Sequence, residues 1–191
     1  MELILIRHGE ASPIEFDPTG ADPDLSELGR AQAAAMADYL AREQIDALWS
    51  SPMKRAWQTA EALSATIGVA PKTDDRLAEF DRDDPSYMPP DRGRMTAEYR
   101  DHVQSKLEDP GFISQVVECT DALVANHPGQ RVAAVCHGGV VMHAIAHLVG
   151  APQVASAVAA DYTALARVMV SRSGQVSLKT LNEAPWLRSA T

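Results

Sequence analysis

Arg131-Val132-Ala133-Ala134-Val135-Cys136-His137-Gly138-Gly139 reads as the best strand of the chain, running into a histidine, a glycine pair and a helix. The helix extends to about residue 149, where Gly150 and Pro152 end it. The first ten residues repeat the design. Residues 2–6 form a short buried strand, and Arg7-His8-Gly9-Glu10 follows it directly. Between these two units lie further alternating segments. Ser26 can cap a helix through about residue 43, with Leu28, Ala31, Ala35 and Tyr39 on one face and Met36 and Leu40 beside them. Residues 45–50 read as a strand. Ser51 then supplies an N-cap, with Pro52 at the first position of a helix that Gly68 stops near residue 67. A short strand is expected at 69–73, a polar, turn-rich loop or insertion at 81–94, and helices at about 95–107 and 111–126.

The chain ends in two strands, 163–171 and 175–181, around Ser173-Gly174. Strands alternating with helices predict an α/β fold, a three-layer α/β/α sandwich with a mainly parallel central sheet and a C-terminal antiparallel strand pair. At 191 residues one domain is expected, with a substrate-facing insertion at about 81–105.

Composition narrows the ligand classes. Seventeen Lys and Arg against 26 Asp and Glu give a net charge of −9, so the overall field repels nucleic acid and anionic membrane. An anionic ligand needs a local cluster of positive groups. The apolar run at the N-terminus is too short for a signal-peptide core, and no stretch approaches the ~20 residues of a membrane helix. Cys119 and Cys136 form no framework, which suits a reduced, cytoplasmic setting.

Ligands of open α/β sheets collect beyond the carboxyl ends of the strands. His8 and His137 both stand there. If their strands are neighbours, both rings enter one pocket. The free N–H groups at the helix start near Gly138 suit an anion. Arg55, early in the helix after Pro52, leans back toward the same edge, because helical side chains tilt toward the N-terminus. With Arg7 it can clamp a phosphate through planar, bidentate contacts.

Four segments then resemble the histidine phosphatase superfamily, also called phosphoglycerate mutase-like. They are Arg7-His8-Gly9; Leu25-Ser26-Glu27-Leu28-Gly29-Arg30-Ala31-Gln32-Ala33; Ser50-Ser51-Pro52-Met53-Lys54-Arg55-Ala56-Trp57-Gln58-Thr59-Ala60; and His137-Gly138-Gly139. They occur in the family's order across residues 1–150. The resemblance implies that His8 is a nucleophile that becomes phosphorylated, and that Arg7, Arg55 and His137 hold the phosphoryl oxygens. It implies a proton donor in a Leu-x-Glu segment, matched by Leu77-Ala78-Glu79, with Asp81 as runner-up. Glu10, and below it Ser12, are lesser candidates. No metal or other cofactor is implied, since the arginines do the electrostatic work.

The chain also departs from the mutase pattern. Ala11-Ser12-Pro13-Ile14 lacks the usual Asn after the first motif, and Glu79-Phe80-Asp81-Arg82-Asp83-Asp84-Pro85 replaces a Gly and Trp-Glu-Gly pattern. The expected activity is therefore hydrolysis of a small phosphorylated metabolite. The alternatives are a phosphoglycerate mutase, a phosphohistidine-protein phosphatase and a non-catalytic phospholigand-binding module. Tyr87, Arg92 and Arg94 can reach a leaving group, although a solvated loop is the plainer expectation for them. His143 and His147 share a helix face, but Ala144 stands where a zincin needs Glu, so no metal site is expected. A homodimer through residues 163–181 or 95–126 stays open.

Overall fold

β1 (Glu2–Arg7), β2 (Ala47–Ser50), β3 (Pro71–Thr73), β4 (Arg131–Cys136), β5 (Leu165–Val170) and β6 (Val176–Glu183) form one sheet in the order β3-β2-β4-β1-β5-β6. The computed structural model describes residues 1–88 and 96–190. β3, β2, β4 and β1 are parallel, and β5 and β6 add an antiparallel pair at one side. The hairpin turns at Gly174, whose φ of 84° suits glycine.

The strand interiors alternate between two cores. Leu3 and Leu5 of β1, with Val132 and Ala134 of β4, pack against α4 (Pro110–Asn126) and α5 (Gly138–Leu148). Ile4, Ile6, Ala133 and Val135 face the other way, onto α1 (Glu27–Leu40) and α2 (Lys54–Ile67). Both faces of these strands are covered, which is why they are apolar throughout. Each fully buried Leu or Ile contributes about 1.5–3 kcal/mol of transfer free energy.

β4 lies between β1 and β2, and this order builds the site. Arg7 sits opposite Cys136, and Ser50 opposite Val135. Residues 8, 51 and 137 therefore leave the sheet together at its carboxyl edge.

Three local expectations need correction. The inner face of α1 is Gly29, Ala33, Met36, Ala37 and Leu40, whereas Leu28 and Tyr39 are 52% and 44% exposed. The cause is at Gly29, which lies on the Glu10 backbone so closely that a Cβ would collide with the Glu10 carbonyl. Docking there fixes the rotation of the helix. Secondly, Ser51 does not cap α2. The N-cap is Met53, which makes no side-chain cap, and the Asp22 carboxylate accepts the Lys54 N–H instead, at 2.9 Å. Thirdly, Tyr87 is buried rather than solvated, its backbone paired with Ile14 in an antiparallel bridge. Arg92 and Arg94 lie outside the described residues.

No helix among the described residues is long and apolar enough to cross a membrane. Helix α3 (Ala97–Leu107), capped by Thr96, buries no residue fully and stands over the carboxyl edge of the sheet.

Candidate active site

A cleft of about 460 Å³ opens at that edge, with Arg7, His8, Arg55, Glu79 and Gly138 among its lining residues. His8 is almost fully buried at its base. Its Nδ1 lies 2.6 Å from the Gly9 carbonyl. A carbonyl only accepts, so Nδ1 carries the proton and Nε2 holds a lone pair. Burial, then Arg55 and Arg7, holds the His8 pKa well below its usual value, so the ring is neutral. Arg55 Nε donates toward Nε2 at 3.3 Å.

The segment that carries His8 is held tightly. The Gly9 N–H donates to Thr59 Oγ1 at 3.1 Å, and Thr59 Oγ1 donates to the Arg55 carbonyl at 2.8 Å. A Cβ at Gly9 would come within 2.5 Å of the Gly29 carbonyl oxygen. The first two motifs thus require each other's glycine.

Arg55 is 1% exposed. Its Nη2 donates to Asp81 Oδ1 at 2.6 Å, and its guanidinium carbon lies 4.7 Å from the Tyr87 ring centre. Arg7 donates through Nη1 to the Ala160 carbonyl at 2.7 Å and stacks over Tyr162 at 4.0 Å. Tyr162 precedes Thr163, a buried β-branched residue at φ 59°, whose N–H reaches the His8 carbonyl at 3.3 Å. A left-handed threonine is strained, and strain of this kind collects at functional sites.

The ring centres of His8 and His137 are 5.0 Å apart. His137 Nε2 lies 2.8 Å from Ser51 Oγ. That hydroxyl also accepts the Met53 N–H at 3.3 Å; when it donates to Nε2, the His137 proton resides on Nδ1. Burial, then Arg55, His8 and Arg7, holds the His137 pKa well below its usual value. His137 is thus a neutral N–H donor, not the positive charge that a phosphate clamp suggests.

Among the described residues, four buried side-chain polar atoms have no partner. Three belong to residues of this cluster: Arg7 Nε and Arg55 Nη1, both donors, and His137 Nδ1, a donor when Ser51 donates to Nε2. Leaving a buried donor unpaired costs about 1–3 kcal/mol. Three together beside one imidazole form a site for an anion with several acceptor oxygens.

Glu79 lies on the other side. Its Oε2 accepts the Gly139 N–H at 2.8 Å and its Oε1 the Phe80 N–H at 3.4 Å. Burial and the nearby Asp81 raise its pKa to about 7, against the Gly139 N–H and Arg55, which lower it. Asp81 is also raised by burial, although Arg55 opposes the shift. Asp81 spends its short contact on Arg55, so Glu79 is the better placed proton carrier.

The structure thus brings together Arg7, His8, Arg55, Glu79, Asp81, His137 and Gly138. It places two candidates elsewhere. Glu10 is buried behind the site, where its Oε1 accepts the Ser26 hydroxyl proton at 2.9 Å and braces the start of α1. Ser12 lines a separate surface hollow with Asp17 and Asp22. Sequence reasoning missed Gly139, Thr59 and the role of Ser51. The last two lie inside the quoted 50–60 motif, where a serine before proline looks like a cap. Gly139 is the tighter of the glycine pair: a Cβ there would lie 2.5 Å from Glu79 Oε1.

The family model of the histidine phosphatase superfamily (branch 1) matches residues 3–184. Phosphoserine phosphatase 1 of Hydrogenobacter thermophilus is 40% identical over 86 residues, which cover 42% of this chain and 39% of that protein. The match thus spans well under half the length of that relative. Phosphoglycerate mutase-like protein 4 of Arabidopsis thaliana is 32% identical over 155 residues, covering 73% of this chain and 67% of the other. The fold agrees with a solved mycobacterial glucosyl-3-phosphoglycerate phosphatase complexed with VO3, at TM-score 0.77 and 24% identity over 95% of this chain and 98% of that one. From its sequence match, its sheet order and the pair of histidines at adjacent strand ends, the chain belongs to the histidine phosphatase superfamily (branch 1).

Proposed function

We propose that this protein is a metal-independent phosphomonoesterase that hydrolyses a small phosphorylated metabolite through a phosphohistidine on His8. The observation that carries the reading is the trio of buried, unpartnered donors on Arg7, Arg55 and His137 beside the neutral His8 ring. Relatives named as phosphatases support it.

In the first step His8 Nε2 attacks phosphorus. The N–P bond forms, the ester P–O bond breaks, and Glu79 gives its proton to the departing alcohol oxygen. The three donors bind the equatorial oxygens, where charge accumulates, and Gly138 lines the same wall. In the second step water attacks the phosphohistidine and gives a proton to the Glu79 carboxylate. The N–P bond breaks, phosphate leaves, and both residues return to their starting states. A Glu79 pKa of about 7 suits a group that must act once as acid and once as base.

One domain with a substrate-facing insertion at about 81–105, of which residues 89–95 lie outside the described residues, is part of the proposal; Asp81, Tyr87, Tyr99 and Val103 line the cleft. A cytoplasmic location rests on the two free, buried cysteines. A homodimer through the outer hairpin rests on exposed Leu178 and Leu181 of β6, and sedimentation of the full chain tests it.

Hydrolysis of p-nitrophenyl phosphate in EDTA at pH 5–7 is the test, together with trapping of an acid-labile phosphoenzyme. Activity that needs a divalent metal, or that survives His8→Ala, overturns the reading.

A further inference from the structure

Thr163 holds a backbone conformation that its own side chain disfavours, and the C-terminal segment supplies what keeps it there. It is the third residue of the turn Asp161-Tyr162-Thr163-Ala164, which the Ala164 N–H closes on the Asp161 carbonyl at 3.0 Å. A left-handed third position favours glycine, and a β-branched residue is an outlier there. Trp186 Nε1 donates to Thr163 Oγ1 at 3.0 Å, and that hydroxyl donates to the Tyr162 carbonyl at 2.7 Å. Asn182 grips the other end of the turn. Its Oδ1 accepts the Asp161 N–H at 2.7 Å, and its Nδ2 donates to Asp161 Oδ2 at 2.9 Å. A bulge aims it there. Leu165 and Arg167, two positions apart on β5, pair with Glu183 and Thr180, three apart on β6, and Asn182 lies in the longer stretch at φ 55°. Among the described residues, Thr163 and Asn182 are the non-glycine residues with left-handed backbone, and both serve this one turn.

The same turn grips Arg7 and His8. The Ala160 carbonyl accepts from Arg7 Nη1, and the Tyr162 ring lies against the Arg7 guanidinium. The Thr163 N–H donates to the His8 carbonyl, and the Ala164 carbonyl accepts the Arg7 N–H at 3.2 Å. Arg7 Nε is one of the unpartnered buried donors, so where this guanidinium sits decides how an anion is met. We propose that Trp186 and Asn182 are positioning residues of this site: they hold the 161–164 turn in its left-handed form, and through it they fix the Arg7 guanidinium and the His8 backbone for phosphate. The inference rests on the phosphomonoesterase reading and extends it to residues outside the cleft, since neither side chain lines it. Trp186 is itself anchored on α1, its ring centre 4.8 Å from that of Tyr39.

Calorimetry of inorganic phosphate binding to the full-length protein tests the inference, with turnover of p-nitrophenyl phosphate measured beside it. Trp186→Phe removes the indole N–H and keeps a ring against Tyr39. It is expected to weaken phosphate binding about five- to tenfold, the worth of about one net hydrogen bond. The value of kcat/KM should fall at least as far, at a temperature where urea midpoints show both proteins folded. Adding Thr163→Gly is expected to recover most of both losses, because glycine populates the left-handed turn unaided. A general loss of packing would not be recovered in this way. Phosphate affinity within twofold of the parent, or a loss that Thr163→Gly leaves in place, would overturn the inference. If the Phe variant does not fold, Asn182→Asp at an exposed position carries the same comparison, since its carboxylate would face that of Asp161. Weaker phosphate binding is expected there too, and unchanged binding overturns the inference. A parent that binds phosphate yet hydrolyses no ester counts against the phosphomonoesterase reading alone.

Discussion

Ser51 Oγ and His137 Nε2 lie 2.8 Å apart, and with the hydroxyl as donor the imidazole proton resides on Nδ1, the nitrogen without a partner. Ser51 is a positioning residue. In Ser51→Ala the two tautomers of His137 become closer in energy, and kcat/KM is expected to fall about tenfold, the lower end for loss of an orienting partner. Nitrogen-15 NMR of the imidazole should show the loss of a single tautomer, which a merely structural role would not produce.

Glu79 governs the pH dependence. Its carboxyl is protonated below about pH 7, so kcat for alkyl phosphates should decline as pH rises through that value. Glu79→Gln removes the proton donor and should lower kcat by on the order of 10²–10⁴, with a smaller loss for p-nitrophenyl phosphate, whose leaving group needs no proton. Stability moves in a defined direction too. The folded pKa lies above the ordinary 4.5, so stability that is complete below pH 4.5 is lost as pH rises to about 7, where the fold must bury a charge. Glu79→Gln lacks this loss. Its stability relative to the parent should increase between pH 4.5 and 7, by up to on the order of 3 kcal/mol, as read from urea midpoints.

Asp81 holds Arg55 Nη2 at 2.6 Å and raises the Glu79 pKa through its charge. Asp81→Asn should therefore do two things. Inorganic phosphate should inhibit several-fold more tightly, because an arginine nitrogen and a local repulsion are released. The alkaline fall in kcat should also shift to lower pH. Loss of activity as deep as that of Glu79→Gln would instead make Asp81 the proton donor.

Gly29→Ala should destabilise by about 3 kcal/mol or more, since the new methyl meets backbone rather than a flexible side chain. Chemical denaturation measures the loss. Gly68→Ala, at the left-handed end of α2 with open space around its Cα, should cost only about 1 kcal/mol.

Strand and helix signals are short-range, and they were readable. β1, β4 and α5 lie within one residue or so of the positions that their apolar runs and glycines imply. The same holds for the identities of Arg7, His8, Arg55 and His137, because each stands beside a strand end or an early helical turn, where chain direction alone points it at the sheet edge. The rotation of α1 was not readable. Its alanine-rich sequence offers several faces of similar hydrophobicity, and the choice falls to Gly29, which needs the Glu10 backbone in place first.

Long-range pairing was equally hidden. Ser51 finds His137 across 86 residues, Glu79 finds the Gly139 N–H across 60, and Asp81 finds Arg55 across 26. Local sequence carried the element order, the strand-end histidines and arginines, and the need for a concentrated positive site in an acidic chain. The Ser51 partner of His137, the lowered proton affinity of both histidines and the raised proton affinity of Glu79 came only with packing. Hydrogen-bond partners and desolvation are set by which groups the fold brings together and by how much water it removes.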